Sequence, residues 1–131
     1  MILLTEKQVK ELEKACTELL KLDKVRHVGV INKLGQRVAG GFKKGVKPLV
    51  NEKQLRMVYM QMRLDFEMRK ELDKILGPID YIASRRTNQL IISVPDRDDI
   101  VLISAEPDAD DKVIIKKAEE LFDDIHIKTV K

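Results

Sequence analysis

The chain has 131 residues, of which 44% are hydrophobic and 36% are charged, and its formal net charge is +3. We predict a single folded domain over residues 1–131, because no Pro-rich, Gly/Ser-rich or low-complexity stretch divides the chain. The 25 basic and 22 acidic residues are interspersed, which argues against a dedicated nucleic-acid binder. The apolar runs are far shorter than the roughly 20 residues of a membrane span. No signal peptide is visible at the start, so we expect a cytoplasmic protein.

The first half of the chain predicts a helix followed by a β-hairpin. Apolar residues repeat every three or four positions over residues 6–22, and the single Cys16 lies on this stripe, where we expect a buried thiol. Two β-rich runs follow, at 27–31 and 36–42. The turn between them, Asn32-Lys33-Leu34-Gly35, is typical of a hairpin, because asparagine can cap its own turn and glycine tolerates a positive φ.

The second half predicts a long helix, three strands and a last helix. The long helix should span residues 52–76, because a capping box precedes it and Gly77-Pro78 ends it. Three β-rich runs separated by short polar turns follow, at 79–84, 90–94 and 100–105. An acidic segment from Asp108 to Asp111 favours the start of the last helix, and we expect residues 126–131 to form a flexible tail.

The resulting order, α-β-β-α-β-β-β-α, predicts an α/β (α+β) fold with helices packed on one five-stranded antiparallel sheet. The helix at 52–76 has two apolar faces when it is wound at about 100° per residue. One face carries Leu55, Val58, Tyr59, Met62 and Phe66. The opposite face carries Met57, Met60, Leu64, Met68 and Ile75. If the first face covers the sheet, the second face needs either the first or last helix of the chain or a partner, and we favour a homodimer interface.

Residues that could support catalysis or bind a metal are scattered. His27 starts a predicted strand and His126 lies near the C-terminus, and neither has a cysteine or histidine at zinc-ligand spacing. The Asp96 to Asp99 turn resembles part of a calcium loop but lacks the glycine and the distal glutamate. Residues 40–45 resemble a phosphate loop without its Gly-Lys-Ser/Thr ending. We therefore predict no catalytic residue, no metal site and no cofactor, and hence no enzyme.

Two basic clusters flank predicted turns. The candidate anion-binding residues in them are Lys43, Lys44, Lys47, Arg85 and Arg86. Phosphate binding or weak association with nucleic acid is one interpretation of these clusters. The alternative is that they are solvated loop charges, which is the usual state of lysine and arginine.

The order of elements resembles the Roadblock family (dynein light chain type), and Val28 to Gly35 is similar to the first hairpin of that family, where a Gly-bearing strand leads into an Asn-x-x-Gly turn. This resemblance implies a non-enzymatic homodimer in which the second helices pair and the sheets join edge to edge. It also implies a platform for small Ras-like GTPases or other signalling and motility proteins. The chain departs from the family in a longer second helix and a charged C-terminal helix, which could cover or replace the usual partner surface.

Profilin, longin and PAS folds share this arrangement in part. The stretch from Val30 to Gly41 and the segment from Ser84 through Asp108 also resemble an uncharacterised group of small proteins from ammonia-oxidising archaea. The leading prediction is a homodimeric, protein-binding regulator or scaffold. The alternative is a PAS- or profilin-like sensor that binds a small molecule between the sheet and the second helix.

Overall fold

A computed structural model describes residues 4–129, with side chains as far as Ile125. The elements in chain order are α1 (Glu6–Leu20), β1 (Val25–Ile31), β2 (Arg37–Phe42), α2 (Glu52–Arg69), a 3₁₀ turn (Lys70–Leu72), α3 (Asp73–Leu76), β3 (Ile82–Arg85), β4 (Leu90–Asp96), β5 (Asp99–Ala105) and α4 (Asp111–Thr129). This order confirms the predicted α-β-β-α-β-β-β-α fold, except that the second helix is broken near its end. No helix within residues 4–129 is long and apolar enough to cross a bilayer.

The five strands form one antiparallel sheet in the order β2-β1-β5-β4-β3. Alternate residues of β5 point to opposite faces, as the pleat of a strand requires. Val101 and Ile103 join the core cluster that contains α1 and α4, whereas Ile100 and Leu102 join the cluster that contains α2. The sheet therefore lies between two helices on one face and a single helix on the other.

The β1–β2 hairpin follows the turn chemistry read from the sequence. The side-chain Oδ1 of Asn32 accepts hydrogen bonds from the backbone N–H groups of Leu34 and Gln36, both at 3.0 Å. Gly35 has φ +76°, a conformation that favours glycine over residues with a Cβ. A Cβ at Gly35 would also collide with the sulfur of Met60. The hairpin tip and helix α2 are therefore in direct contact.

Helix α2 starts where the sequence predicts but ends earlier. Asn51 and Gln54 form the expected capping box, with bonds of 2.8 and 2.9 Å. The prediction of one helix over residues 52–76 is wrong, because the 3₁₀ turn separates α2 from α3. Phe66 is the last buried residue before this break. Beyond it no packing on the sheet enforces α-helical geometry, and helix ends commonly tighten into 3₁₀ turns.

Two other boundaries differ from the predictions. Strand β3 begins at Ile82 rather than at Ile79, because a longer strand would bring its first residues opposite Pro95 of β4, which has no N–H to donate. Helix α4 starts at Asp111 and continues to Thr129, into the segment predicted as a tail. The flexibility of residues 126–131 stays a prediction, since their side chains and the last two residues lie outside the described part.

Candidate interaction surface on helix α2

The inner face of α2 packs on the sheet as its apolar pattern predicts. Tyr59 and Phe66 are buried, and they form one cluster with the strand residues Ile31, Ile100 and Leu102. The remaining members of the predicted inner face are partly buried against this cluster: Leu55, Val58 and Met62. Side chains of α2 therefore fill the space between the helix and the sheet.

The outer face of α2 carries four large apolar side chains, Met57, Met60, Leu64 and Met68, which we call the outer stripe. They are between 44% (Met60) and 74% (Met68) exposed. The alternative that the first or last helix covers this face is wrong, because α1 and α4 pack on the opposite face of the sheet. Ile75, the fifth predicted interface residue, is also exposed but lies on α3, beyond the 3₁₀ turn.

A buried polar pair lies under α2. The Nε2 atom of His27 is 2.7 Å from the hydroxyl oxygen of Tyr59, and the His27 ring centroid is 4.6 Å from that of Phe42. Burial, with a smaller contribution from the Arg37 guanidinium, lowers the pKa of His27 to about 4. Burial also raises the pKa of the Tyr59 hydroxyl to about 12. Both groups are therefore neutral near pH 7, and they join helix to sheet rather than face solvent.

Arg63 is a second buried polar residue, and sequence reasoning missed it. Its guanidinium donates through Nη2 to the carboxylate of Glu67 at 3.1 Å, while Nε and Nη1 have no partner among the described residues. The Glu67 carboxylate also accepts from Lys70 at 3.2 Å, and both hydrogen bonds lower the pKa of Glu67. The i,i+4 spacing of Arg63 and Glu67 is visible in the sequence, but it predicts an exposed pair.

A family model covers nearly the whole chain: DUF6659, described as a family of unknown function, matches residues 4–130. The chain belongs to that family. No curated protein matches the sequence. Membership in a family of unknown function assigns no activity, so the fold and the surfaces carry the functional argument.

Solved structures match over almost their full length. Gliding protein MglB from Thermus thermophilus is 13% identical with a TM-score of 0.77, and the match covers 97% of this chain and 96% of that one. MglB from Myxococcus xanthus is 14% identical with a TM-score of 0.74, covering 100% and 98%. The Roadblock/LC7 domain from Streptomyces avermitilis is 8% identical with a TM-score of 0.70, covering 92% and 98%. This DUF6659 chain therefore has the Roadblock/LC7 fold that the resemblance predicts, whereas its resemblance to archaeal proteins stays a prediction.

The two basic clusters lie at the same end of the sheet but at opposite edges. Lys43 follows β2 and Arg85 ends β3, the two edge strands, and four strand spacings separate them by roughly 19 Å. Lys43 donates to the carbonyls of Leu22 and Asp23, at 2.7 and 3.2 Å, and Arg85 donates to those of Pro107 and Ala109. These two cations anchor backbone. Anion binding by Lys44, Lys47 and Arg86, which are exposed, stays a prediction.

The acidic residues singled out in the sequence form solvated turns and caps. Asp98 in the β4–β5 turn is 3.7 Å from the ammonium group of Lys33. Asp110 accepts from the backbone N–H of Lys112, at 3.1 Å, at the start of α4. Within the described part of the chain, no group of three or more His, Cys, Asp or Glu side chains could hold a metal ion.

Proposed function

We propose that this DUF6659 protein is a non-enzymatic homodimeric regulator that binds other proteins, and that its second helices pair through the outer stripe. The exposure of four large apolar side chains on one helix face carries this proposal. Exposed apolar side chains scattered singly are ordinary on a monomer, whereas a contiguous row of them marks an interaction site. A homodimer is the simplest partner, because twofold pairs of identical chains are the commonest oligomers.

The proposed partner is a small Ras-like GTPase or another signalling protein. The Roadblock/LC7 fold supports this part, since the family resemblance implies a platform for such proteins. The side chains of His27 and Tyr59 are engaged with each other under α2, which supports a binding role over acid–base catalysis there. The edge-to-edge joining of the sheets, and the cytoplasmic location, stay predictions.

Nothing in the structure favours the small-molecule sensor over this proposal. The layer between the sheet and α2 is occupied by Ile31, Tyr59, Phe66 and their neighbours. A cleft of about 180 Å³ lies instead along α4, where Ala118 and Phe122 face Val94 and acidic residues line the rim. Its volume lies below the usual range of ligand pockets, roughly 300–1,000 Å³. A larger groove of about 360 Å³, lined by Tyr81, Ile115 and charged side chains of α4, adjoins this cleft but is open to solvent. Neither lies between the sheet and α2, where the sensor hypothesis places the ligand.

Sedimentation velocity at micromolar concentration tests the dimer. The wild type should sediment as a dimer, and Met60→Lys or Leu64→Glu should shift it to monomer, because a charge would be buried between two helices. Val113→Glu is the matched control: Val113 is an equally exposed apolar residue on α4, on the opposite side of the sheet, and its substitution should leave the dimer intact. A monomeric wild type would contradict the proposal.

Affinity capture from native lysate, with GTP analogue or GDP added, tests the partner. Recovery of a small GTPase in one nucleotide state, by the wild type and the Val113→Glu control, is the expected result. If the captured proteins include no GTPase under either condition, the GTPase part of the proposal fails. The homodimer is tested separately, by the sedimentation experiment.

A further inference from the structure

The two edges of the sheet differ in how their backbone is covered. Strands β2 and β3 are the edge strands, and an edge strand presents N–H and C=O groups to which another strand can bond. On β2, side chains bond both backbone groups of Gly40: its N–H donates to Oε1 of Glu13 at 2.8 Å, and its C=O accepts from Nη1 of Arg37 at 3.0 Å. Within the described part of the chain, no side chain bonds the backbone of β3 in this way.

Gly40 lies near the middle of β2 (Arg37–Phe42) in a conformation that requires glycine. Its φ is +92°, and a Cβ at this position would collide with the carbonyl oxygen of Val28. Any other residue would therefore strain the strand. The glycines at 40 and 41, which resemble the start of a phosphate loop in the sequence, thus shape the edge of the sheet.

The side chain of Arg37 reaches the carbonyl of Gly40 by lying across two further glycines. A Cβ at Gly41 would be 3.1 Å from Nη1 of Arg37, and a Cβ at Gly29 would be 3.5 Å from its Cδ. The absence of side chains at these two positions leaves room for the arginine on the sheet face. Arg37 and Glu13 are both exposed, so the two bonds lie at the surface of the protein.

The packing of helix α1 does not depend on Glu13. Leu12, Cys16 and Leu19 of the same helix are buried in the core cluster under α1 and α4. An exposed hydrogen bond adds much less to stability than the burial of a leucine side chain. The bonds of Glu13 and Arg37 therefore add little to the fold, but they occupy the groups that an added strand would need.

We propose that Glu13 and Arg37 close the β2 edge of the sheet against the addition of another strand. A strand added at an edge gains its affinity from main-chain hydrogen bonds, and at Gly40 both groups are already bonded. The strand kept out is the β2 edge of a second copy, since identical edges can pair around a twofold axis. This closure complements the proposed homodimer: with the outer stripe paired, an open β2 edge on every subunit would let dimers join into chains.

Amide hydrogen exchange measured by NMR tests the closure at its centre. The Gly40 amide should exchange slowly in the wild type, and about fivefold faster in Glu13→Ala, because one hydrogen bond is lost. Glu13→Gln is the matched control: the amide oxygen of glutamine can still accept from Gly40, so the slow exchange should be retained. Equal exchange in the wild type and Glu13→Ala would overturn the proposal.

Sedimentation equilibrium over a concentration series tests the consequence for assembly. Glu13→Ala/Arg37→Ala should form species of about twice the wild-type mass or larger, because the opened edges can pair. The same two substitutions in a Leu64→Glu background should still cause association, which separates the β2 edge from the outer stripe. Glu11→Ala, which removes a carboxylate from the same helix, should keep the wild-type mass.

The remaining outcomes distinguish this proposal from the homodimer. If the double variant has a wild-type circular dichroism spectrum and a wild-type mass at every concentration, the closure is overturned. If Glu13→Gln associates as readily as Glu13→Ala, charge repulsion rather than hydrogen bonding keeps the edges apart, and the proposal is also overturned. A monomeric wild type would contradict the homodimer alone, because the variants are compared with the wild type whatever its size.

Discussion

The two faces of the sheet are built differently. The face under α1 and α4 is packed by apolar side chains, among them Leu19, Val30 and Ile103, which have no exposed surface. The face under α2 is covered by one helix and also buries polar groups. These are His27, Arg63, Ser93 and Ser104. Apolar packing dominates stability on the first face, whereas the second also depends on the satisfaction of individual polar atoms.

The same contrast separates the two sides of α2. Its inner side anchors the helix to the sheet through Tyr59 and Phe66, and its outer side leaves Leu64 and its neighbours in solvent. Substitutions in the α1/α4 layer should therefore affect folding alone. Substitutions under α2 should affect folding in a pH-dependent way, and substitutions on the outer stripe should affect association.

The largest effect is expected in the α1/α4 layer. Leu19→Ala should lower the free energy of unfolding by about 3 kcal/mol, because it leaves a cavity in a closely packed core. The matched control is Leu64→Ala, which removes the same atoms from a side chain that is 56% exposed, against 0% for Leu19. In urea unfolding of chains dilute enough to be monomeric, the control should change stability by less than about 0.5 kcal/mol. Similar losses of stability in the two variants would contradict the contrast between the buried α1/α4 layer and the exposed outer stripe.

The next effect is a loss of stability at mildly acidic pH that originates under α2. The pKa of His27 is lowered in the fold from 6.5 to about 4, so its contribution is fully present above pH 6.5 and is lost as the pH falls towards 4. Between pH 6.5 and 5 the unfolded chain binds a proton that the folded chain does not, which costs about 2 kcal/mol. Urea unfolding at pH 6.5 and at pH 5 measures this loss in the free energy of unfolding.

A variant without the imidazole isolates the contribution of His27 to this loss of stability. His27→Gln should be less stable than the wild type at pH 7, but its stability should change little between pH 6.5 and 5, because glutamine does not titrate. The carboxylates are common to both proteins and cancel in the comparison. If the wild type and His27→Gln lose stability equally, the pH dependence originates elsewhere.

A smaller effect is expected from the hydroxyl that bonds His27. Tyr59→Phe should lower the free energy of unfolding by about 1 to 2 kcal/mol, because Nε2 of His27 would be left buried without a partner. Tyr81→Phe is the control, since Tyr81 is exposed and its hydroxyl makes no hydrogen bond within the described residues. Thermal melts of the two variants side by side should differ, and equal melting temperatures would mean that the buried hydrogen bond adds no net stability.

The smallest effect concerns Cys16 in the α1/α4 layer. Its side chain is buried, and burial, aided by the Glu13 carboxylate, raises the pKa of the thiol to about 12. We expect a thiol reagent at pH 8 to modify the folded protein hardly at all over minutes, because the reactive species is the thiolate. The same reagent in denaturant should react fully, and rapid labelling of the folded chain would show that α1 opens readily from the sheet.

Local sequence signals determined most of the fold. The capping box of Asn51 and Gln54 set the start of α2, the Asn32 to Gly35 turn set the first hairpin, and the spacing of apolar residues separated the inner face of α2 from the outer stripe. These features depend on residues within a turn or two of one another, so the chain specifies them before it is folded. The order of elements followed from them.

Only the tertiary structure decided the rest. The placement of β5 between β1 and β4, the end of α2 at Arg69 and the burial of Arg63 depend on contacts between distant segments. Lys43 and Arg85, read as free cations, bond carbonyls of other elements. A sequence shows which side chains are charged or apolar, but desolvation and hydrogen bonding depend on what folds against them. For that reason the outer stripe could be read from helical periodicity, whereas the buried pair beneath α2 could not.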